Sequence, residues 1–176
     1  MTDLALVWNA DAMAADLLLA NGQLATDDGM RTAILISLFT DARAADDEAL
    51  PEDGGDRRGW WGDAYARDAR PDAGTARDRS RIGSLLWLLS RSKITAQVLA
   101  QAKQACDDAL AWLVRDGIAA AVRVVVEAQV RTGQQTPDLL AIAVEVDRPG
   151  GPGRQRFDFV WEASTATLAA TSPEPA

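Results

Sequence analysis

Between Ala96 and Arg115 apolar residues recur at helical spacing, and between Val122 and Trp161 they alternate with period two in three successive runs. A helix with one apolar stripe and strands with one apolar face must bury those surfaces against each other, which fixes the class as α+β with a core helix on a small antiparallel sheet. The helical stripe is Val98, Leu99, Ala102, Ala105, Ala109, Leu110 and Leu113, with Trp112 beside it. Thr95 is placed to cap the first free amides, and Arg115 with Gly117 supplies the cationic last turn and a left-handed stop. The strands centre on Val122 to Val130, Leu139 to Val146 and Arg156 to Trp161. Arg148 to Gly153 reads as an open hairpin turn between the last two.

Upstream, Leu4, Leu6 and Trp8 alternate as in a short strand, and Leu17-Leu18-Leu19 and Gln23-Leu24-Ala25 flank the turn dipeptide Asn21-Gly22, a hairpin signature. Thr26-Asp27-Asp28-Gly29 is expected to start a helix, with Thr26 or Asp27 as its cap, and Ile34, Leu35, Leu38 and Phe39 form that helix's apolar face. Residues 41–82 show neither period. They are rich in Asp, Arg, Gly, Ala and Pro and form a long, partly ordered loop. Its basic residues Arg77, Arg79 and Arg81 are interleaved with Asp78 and read as solvated charge. Residues 1–165 are thus expected to be a single domain, and residues 166–176 a flexible tail.

Composition removes whole classes of chemistry. The chain has no histidine, so imidazole acid-base catalysis and histidine metal ligation are excluded. Its lone Cys106 cannot form an intrachain disulfide or a thiolate zinc cluster, and its place in the helical stripe marks it as a small buried residue. No cofactor, metal or small-molecule substrate is expected. A net charge of −8 argues against nucleic acid as a partner. No run reaches the ~18 apolar residues of a membrane span, and Met1-Thr2-Asp3 lacks the basic start of a signal peptide. Synthesis in the cytoplasm and protein partners are the expectation.

One loop segment does carry binding chemistry. Asp56-Arg-Arg-Gly-Trp-Trp-Gly-Asp63 places two arginines beside a glycine-flanked tryptophan pair, and Trp and Arg are the types that most often dominate desolvated interface centres. Adjacent indoles cannot both face one core from a regular element. Arg57, Arg58, Gly59, Trp60, Trp61, Gly62 and Asp63 are therefore the candidate protein-interface residues. One indole is expected to anchor the loop at home and the other to seat in a partner, with Arg57 or Arg58 meeting a partner carboxylate.

Several segments taken together resemble a known family. Thr26-Asp27-Asp28-Gly29, Thr32 to Asp41, Arg57 to Asp63, Gly83-Ser84-Leu85-Leu86-Trp87-Leu88-Leu89, Ala109 to Leu113 and Phe157-Asp158-Phe159-Val160-Trp161 look like the short tail-baseplate proteins of Mu-like phages and prophages, from Asp3 to Glu162. That family is more distantly similar to the small baseplate wedge proteins of contractile phages and injection machines, which carry a Glu-Arg or Glu-Pro-Arg loop where this chain has Asp56-Arg57-Arg58. The resemblance implies a structural, non-enzymatic wedge subunit of the virion's tail baseplate, with other wedge subunits, the spike and hub, and the first tail sheath ring as partners. A free sheet edge suits such assembly by β-augmentation; the alternative is an edge covered by the N-terminal strand Leu4 to Trp8, and both can hold on different edges.

The alternative is a lysozyme-like, carboxylate-based enzyme that degrades peptidoglycan. It needs two carboxyl groups about 5–9.5 Å apart flanking a sugar cleft. Glu48 and Glu52 lie in polar loop, Glu127 and Glu145 on strand faces and Glu162 at a strand end, none in the apolar, loop-borne setting that raises an acid's pKa.

Overall fold

The long helix and the sheet form as their periodicities require. The computed structural model describes residues 3–4, 6–9, 14–20, 22–24, 26–27, 29–52, 54–60, 82–149, 153–165 and 167–171. Among them, the elements in chain order are β1 (Asp3–Leu4), β2 (Leu6–Asn9), β3 (Ala14–Leu17), β4 (Leu19–Ala20), β5 (Gln23–Leu24), β6 (Thr26–Asp27), α1 (Met30–Phe39), α2 (Ala96–Arg115), β7 (Ala121–Gln129), β8 (Leu139–Asp147), β9 (Gln155–Glu162) and β10 (Thr167–Thr171). A 3₁₀ turn, Leu86–Leu89, precedes α2.

Helix α2 spans the expected residues. The Thr95 Oγ1 accepts the Val98 amide at 3.3 Å, and the chain leaves the helix through Gly117 at φ 72°. Val98, Ala102, Cys106, Leu110 and Leu113 are buried, with Leu99, Ala105, Ala109 and Trp112 packed at the margin. The sheet is antiparallel in the order β10-β9-β8-β7. Its inner face presents Val124, then Leu140, Ile142, Val144 and Val146, then Phe157, Phe159 and Trp161, all buried. Alternation in β7 to β9 delivers this face directly, because side chains two apart share a side. Helix α1 completes the core with Met30, Ile34 and Leu38, and its Phe39 meets Phe159 edge-on at 5.5 Å. Trp112 Nε1 donates to Ser37 Oγ at 3.0 Å, tying the two helices together.

Three expectations need correction. Thr26 and Asp27 do not cap α1: they form β6, paired with β1, and the helix starts after Gly29 at φ 77° without a side-chain cap. The left-handed Gly29 takes the cap position itself, two residues after Asp27. Leu4 to Trp8 does not cover an edge of the main sheet, since β1 and β2 pair with β6 and β3. The strand that does extend the sheet comes from the segment read as a loose tail, where residues 167–171 pair with β9 and Leu168 is buried. Ser172 to Ala176 and the tip of the Arg148–Gly153 turn lie outside the described residues. Of the hairpin read around Asn21-Gly22, Leu19 stands opposite Leu24 and Ala20 opposite Gln23, whereas Leu17 pairs with Leu6, and Asn21 and Ala25 lie outside the described residues.

Candidate protein-interaction site

The loop after α1 is held to the body by backbone bonds before any side chain contributes. Ala42 N–H donates to the Ser84 carbonyl at 3.0 Å and Ser84 N–H to the Thr40 carbonyl at 2.9 Å, an isolated parallel bridge. Gly83 makes this approach possible. Its φ is 101°, and a Cβ there would overlap the Thr40 carbonyl. The buried Ser84 Oγ donates to the Leu38 carbonyl at 2.6 Å and accepts the Leu86 amide at 3.2 Å, so the loop, the end of α1 and the 3₁₀ turn share one residue.

Onto this frame the Arg57-Arg58 segment folds back. Ala44 N–H donates to the Arg57 carbonyl at 3.0 Å. The Arg57 guanidinium gathers the turn at 45–48, donating to the Ala45 carbonyl, to that of Asp46 at 2.6 Å and to that of Glu48 at 3.4 Å. Arg58 stands at φ 48°, unusual for a non-glycine residue, with its amide on Asp56 Oδ1 at 2.8 Å. Its guanidinium stacks 4.5 Å from the Trp87 ring centroid while Nη1 bonds Asp41 Oδ2 at 2.8 Å. Trp87 Nε1 in turn donates to the Ala42 carbonyl at 2.8 Å. Gly59, at φ 107°, lets the backbone pass Arg43, whose Cβ would stand 2.7 Å from any Cβ there.

Both guanidiniums therefore have partners within the chain, where the sequence reading expected one to meet a carboxylate elsewhere. The reason is topological: Asp41 and Trp87 are brought to Arg58 by the bridge at Ser84. Asp41, Trp87 and Ser84 are the residues of this site that sequence reasoning did not single out. The available signal was their presence in two other family-like segments, Thr32 to Asp41 and Gly83 to Leu89. Trp60 follows this pinned corner with 38% of its surface exposed. Trp61, Gly62 and Asp63 lie outside the described residues.

Two other regions have polar groups in a setting worth comparing. A groove of about 580 Å³ runs between α2 and β7, lined by Lys103, Asp107, Val114, Val122 and Arg123 among others. It contains one carboxylate, that of Asp107, ion-paired to Lys103, whereas glycoside hydrolysis uses two. On the outer sheet face Glu145 meets Arg123, Arg154 and Arg156, and at the far end Arg131 bridges Asp138 and Glu162. A hydrogen bond from Ser164 and the Arg131 charge hold the Glu162 carboxyl below its ordinary range, the opposite of what a general acid requires. Burial pushes the Cys106 thiol up to about 12. Among the described residues no cluster of three potential metal ligands occurs, and no helix is long and apolar enough to cross a membrane.

Comparison with known proteins places this geometry. The profile of the family described as Phage protein GP46 matches residues 30–153, which span α1, the loop, α2, β7 and β8. The chain belongs to the GP46 family. It is similar to baseplate protein gp46 of Escherichia phage Mu, 44% identical over 124 residues covering 70% of this chain and 76% of the relative. It is also similar to Mu-like prophage FluMu protein gp46 of Haemophilus influenzae, 37% identical over 156 residues covering 89% of this chain and 94% of the relative. No solved structure matches the chain significantly. In GP46 terms, the Arg58–Trp87–Asp41 stack lies inside the matched region and the strands of residues 3–27 lie before it.

Proposed function

We propose that this GP46 protein is a structural, non-enzymatic subunit of a phage tail baseplate, a wedge component built around the spike and hub that offers a platform for the first sheath ring. The observation that carries the reading is the 44% identity to the Mu baseplate protein over 124 residues. Geometry supports it in two places. The Arg57–Trp60 corner is fastened by Arg57 and Arg58 from within, so that Trp60 is presented on a preorganised support, and a preorganised loop loses less entropy on docking. Strand β7 ends the sheet order, and an edge strand is a template for a partner strand.

In this reading Trp60 and the Trp61-Gly62-Asp63 segment after it face the partner, while Arg57, Arg58 and Gly59 fasten the corner that precedes them. The test is a tail-forming element deleted for this gene and supplied with the chain in trans. Parent chain should restore sheathed tails and be found in their baseplates, whereas Trp60→Ala with Trp61→Ala should remain folded yet fail to do so. Normal tails from the double variant would remove the docking role of the corner. Peptidoglycan turnover by the purified protein, abolished by one carboxylate substitution, would favour the hydrolase instead.

A further inference from the structure

Residues 3–27 form three short antiparallel units, β1 on β6, β2 on β3 and β4 on β5. Pairing of Asp3 with Asp27 and Leu4 with Thr26 closes the base, and the other two hairpins branch from it. An isolated two-stranded hairpin is at best marginally stable in water, and two of these units are only two residues long on each side. Such a segment needs a further surface on which to order. Among the described residues the strands pair with one another, β1 with β6, β2 with β3 and β4 with β5.

What the segment presents is apolar. Leu17, Leu18, Leu19 and Leu24 are exposed, Leu19 to 68%. Consecutive exposed leucines on a hairpin are a feature that monomeric proteins avoid unless something covers them. Its charge says what that is. Residues 1–29 contain Asp3, Asp11, Asp16, Asp27 and Asp28 and no Lys or Arg. An all-acidic segment is repelled by anionic lipid and by nucleic acid. The rest of the chain holds all 18 Lys and Arg but also 21 of the 26 acidic residues, so a second copy is a poor electrostatic match. We propose that the exposed Leu17, Leu18, Leu19 and Leu24 form a docking arm that enters an apolar groove rimmed by Lys or Arg on a different protein subunit, with Asp16 beside them setting the orientation.

The proposal rests on the baseplate reading only for the particle in which it is tested. Full-length chain carrying a photo-crosslinking benzoylphenylalanine at position 19 is supplied in trans to the deleted tail-forming element, and purified tails are irradiated. Leu18→Ser with Leu19→Ser, and Asp16→Lys, are supplied in parallel. The expected crosslink joins position 19 to an apolar segment flanked by Lys or Arg on another tail protein. Both variants should melt within about 2 °C of the parent as isolated proteins. Their incorporation should fall by about tenfold or more, as for residues at an interface centre. A crosslink to the chain's own body, to a second copy or to an acidic surface overturns the arm, as does incorporation of both variants at the parental level. Absence of the parent chain from tails would instead overturn the baseplate reading and the arm with it.

Discussion

Arg58 links three segments far apart in the chain, through its carboxylate contact to Asp41, its stacking on Trp87 and the strained turn it closes. A guanidinium over an indole contributes about 0.5–2 kcal/mol and a partly exposed ion pair about 0.2–1 kcal/mol. Arg58→Ala should therefore lower unfolding free energy by about 1–3 kcal/mol in urea denaturation. Arg58→Lys should recover only part of this loss, because an ammonium keeps the charge but not the planar stack. Trp60→Ala, at the rim, should cost about 1 kcal/mol or less in the same assay. That contrast separates the side chains that hold the corner from the one it presents. Cys106, fully buried with its thiol pushed up to about 12, should resist alkylation at pH 8 in the native state and react rapidly once urea unfolds the chain. Rapid native-state labelling would mean that α2 is not packed as described.

At the scale of elements, α2 and the strands β7 to β9 were legible because their signals are local: a Thr95 cap, a stripe with helical period, alternation with period two. Leu110→Ala, which empties a fully buried site facing the sheet, should cost about 2–5 kcal/mol. Gly83→Ala should cost about 1–3 kcal/mol from its positive φ, with further loss as the loop is pushed off Thr40. Strand β10 escaped because Thr167–Thr171 has little hydrophobic patterning beyond Leu168, and only the waiting edge of β9 makes it a strand. The cap expected from Thr26 or Asp27 failed because the local motif was overridden by pairing with Asp3–Leu4. The Arg58–Asp41–Trp87 stack was hidden for a related reason: 17 and 29 positions separate its members, and no periodicity reports such a contact. Arg57 and Arg58 were read from the sequence as docking residues, while their partners within the chain required the fold.

At the scale of the molecule, among the described residues Trp60 is partly exposed, β7 ends the sheet order, and Leu17, Leu18, Leu19 and Leu24 of the acidic segment before α1 are exposed. The charge distribution adds a pH limit. Because Glu162 is held below its ordinary pKa by Ser164 and Arg131, the stability it contributes is present above the unfolded carboxyl value and is lost as pH falls through the lower folded value. Stability measured by urea denaturation should thus decline below about pH 4.5, and Glu162→Gln should flatten that decline. The most direct test of the central claim is cryo-electron microscopy of tails made by an element that depends on this gene. The account predicts density for the chain in every baseplate, with its α+β body intact and Trp60 against another subunit. Complete, sheathed tails whose baseplates lack the chain would contradict it.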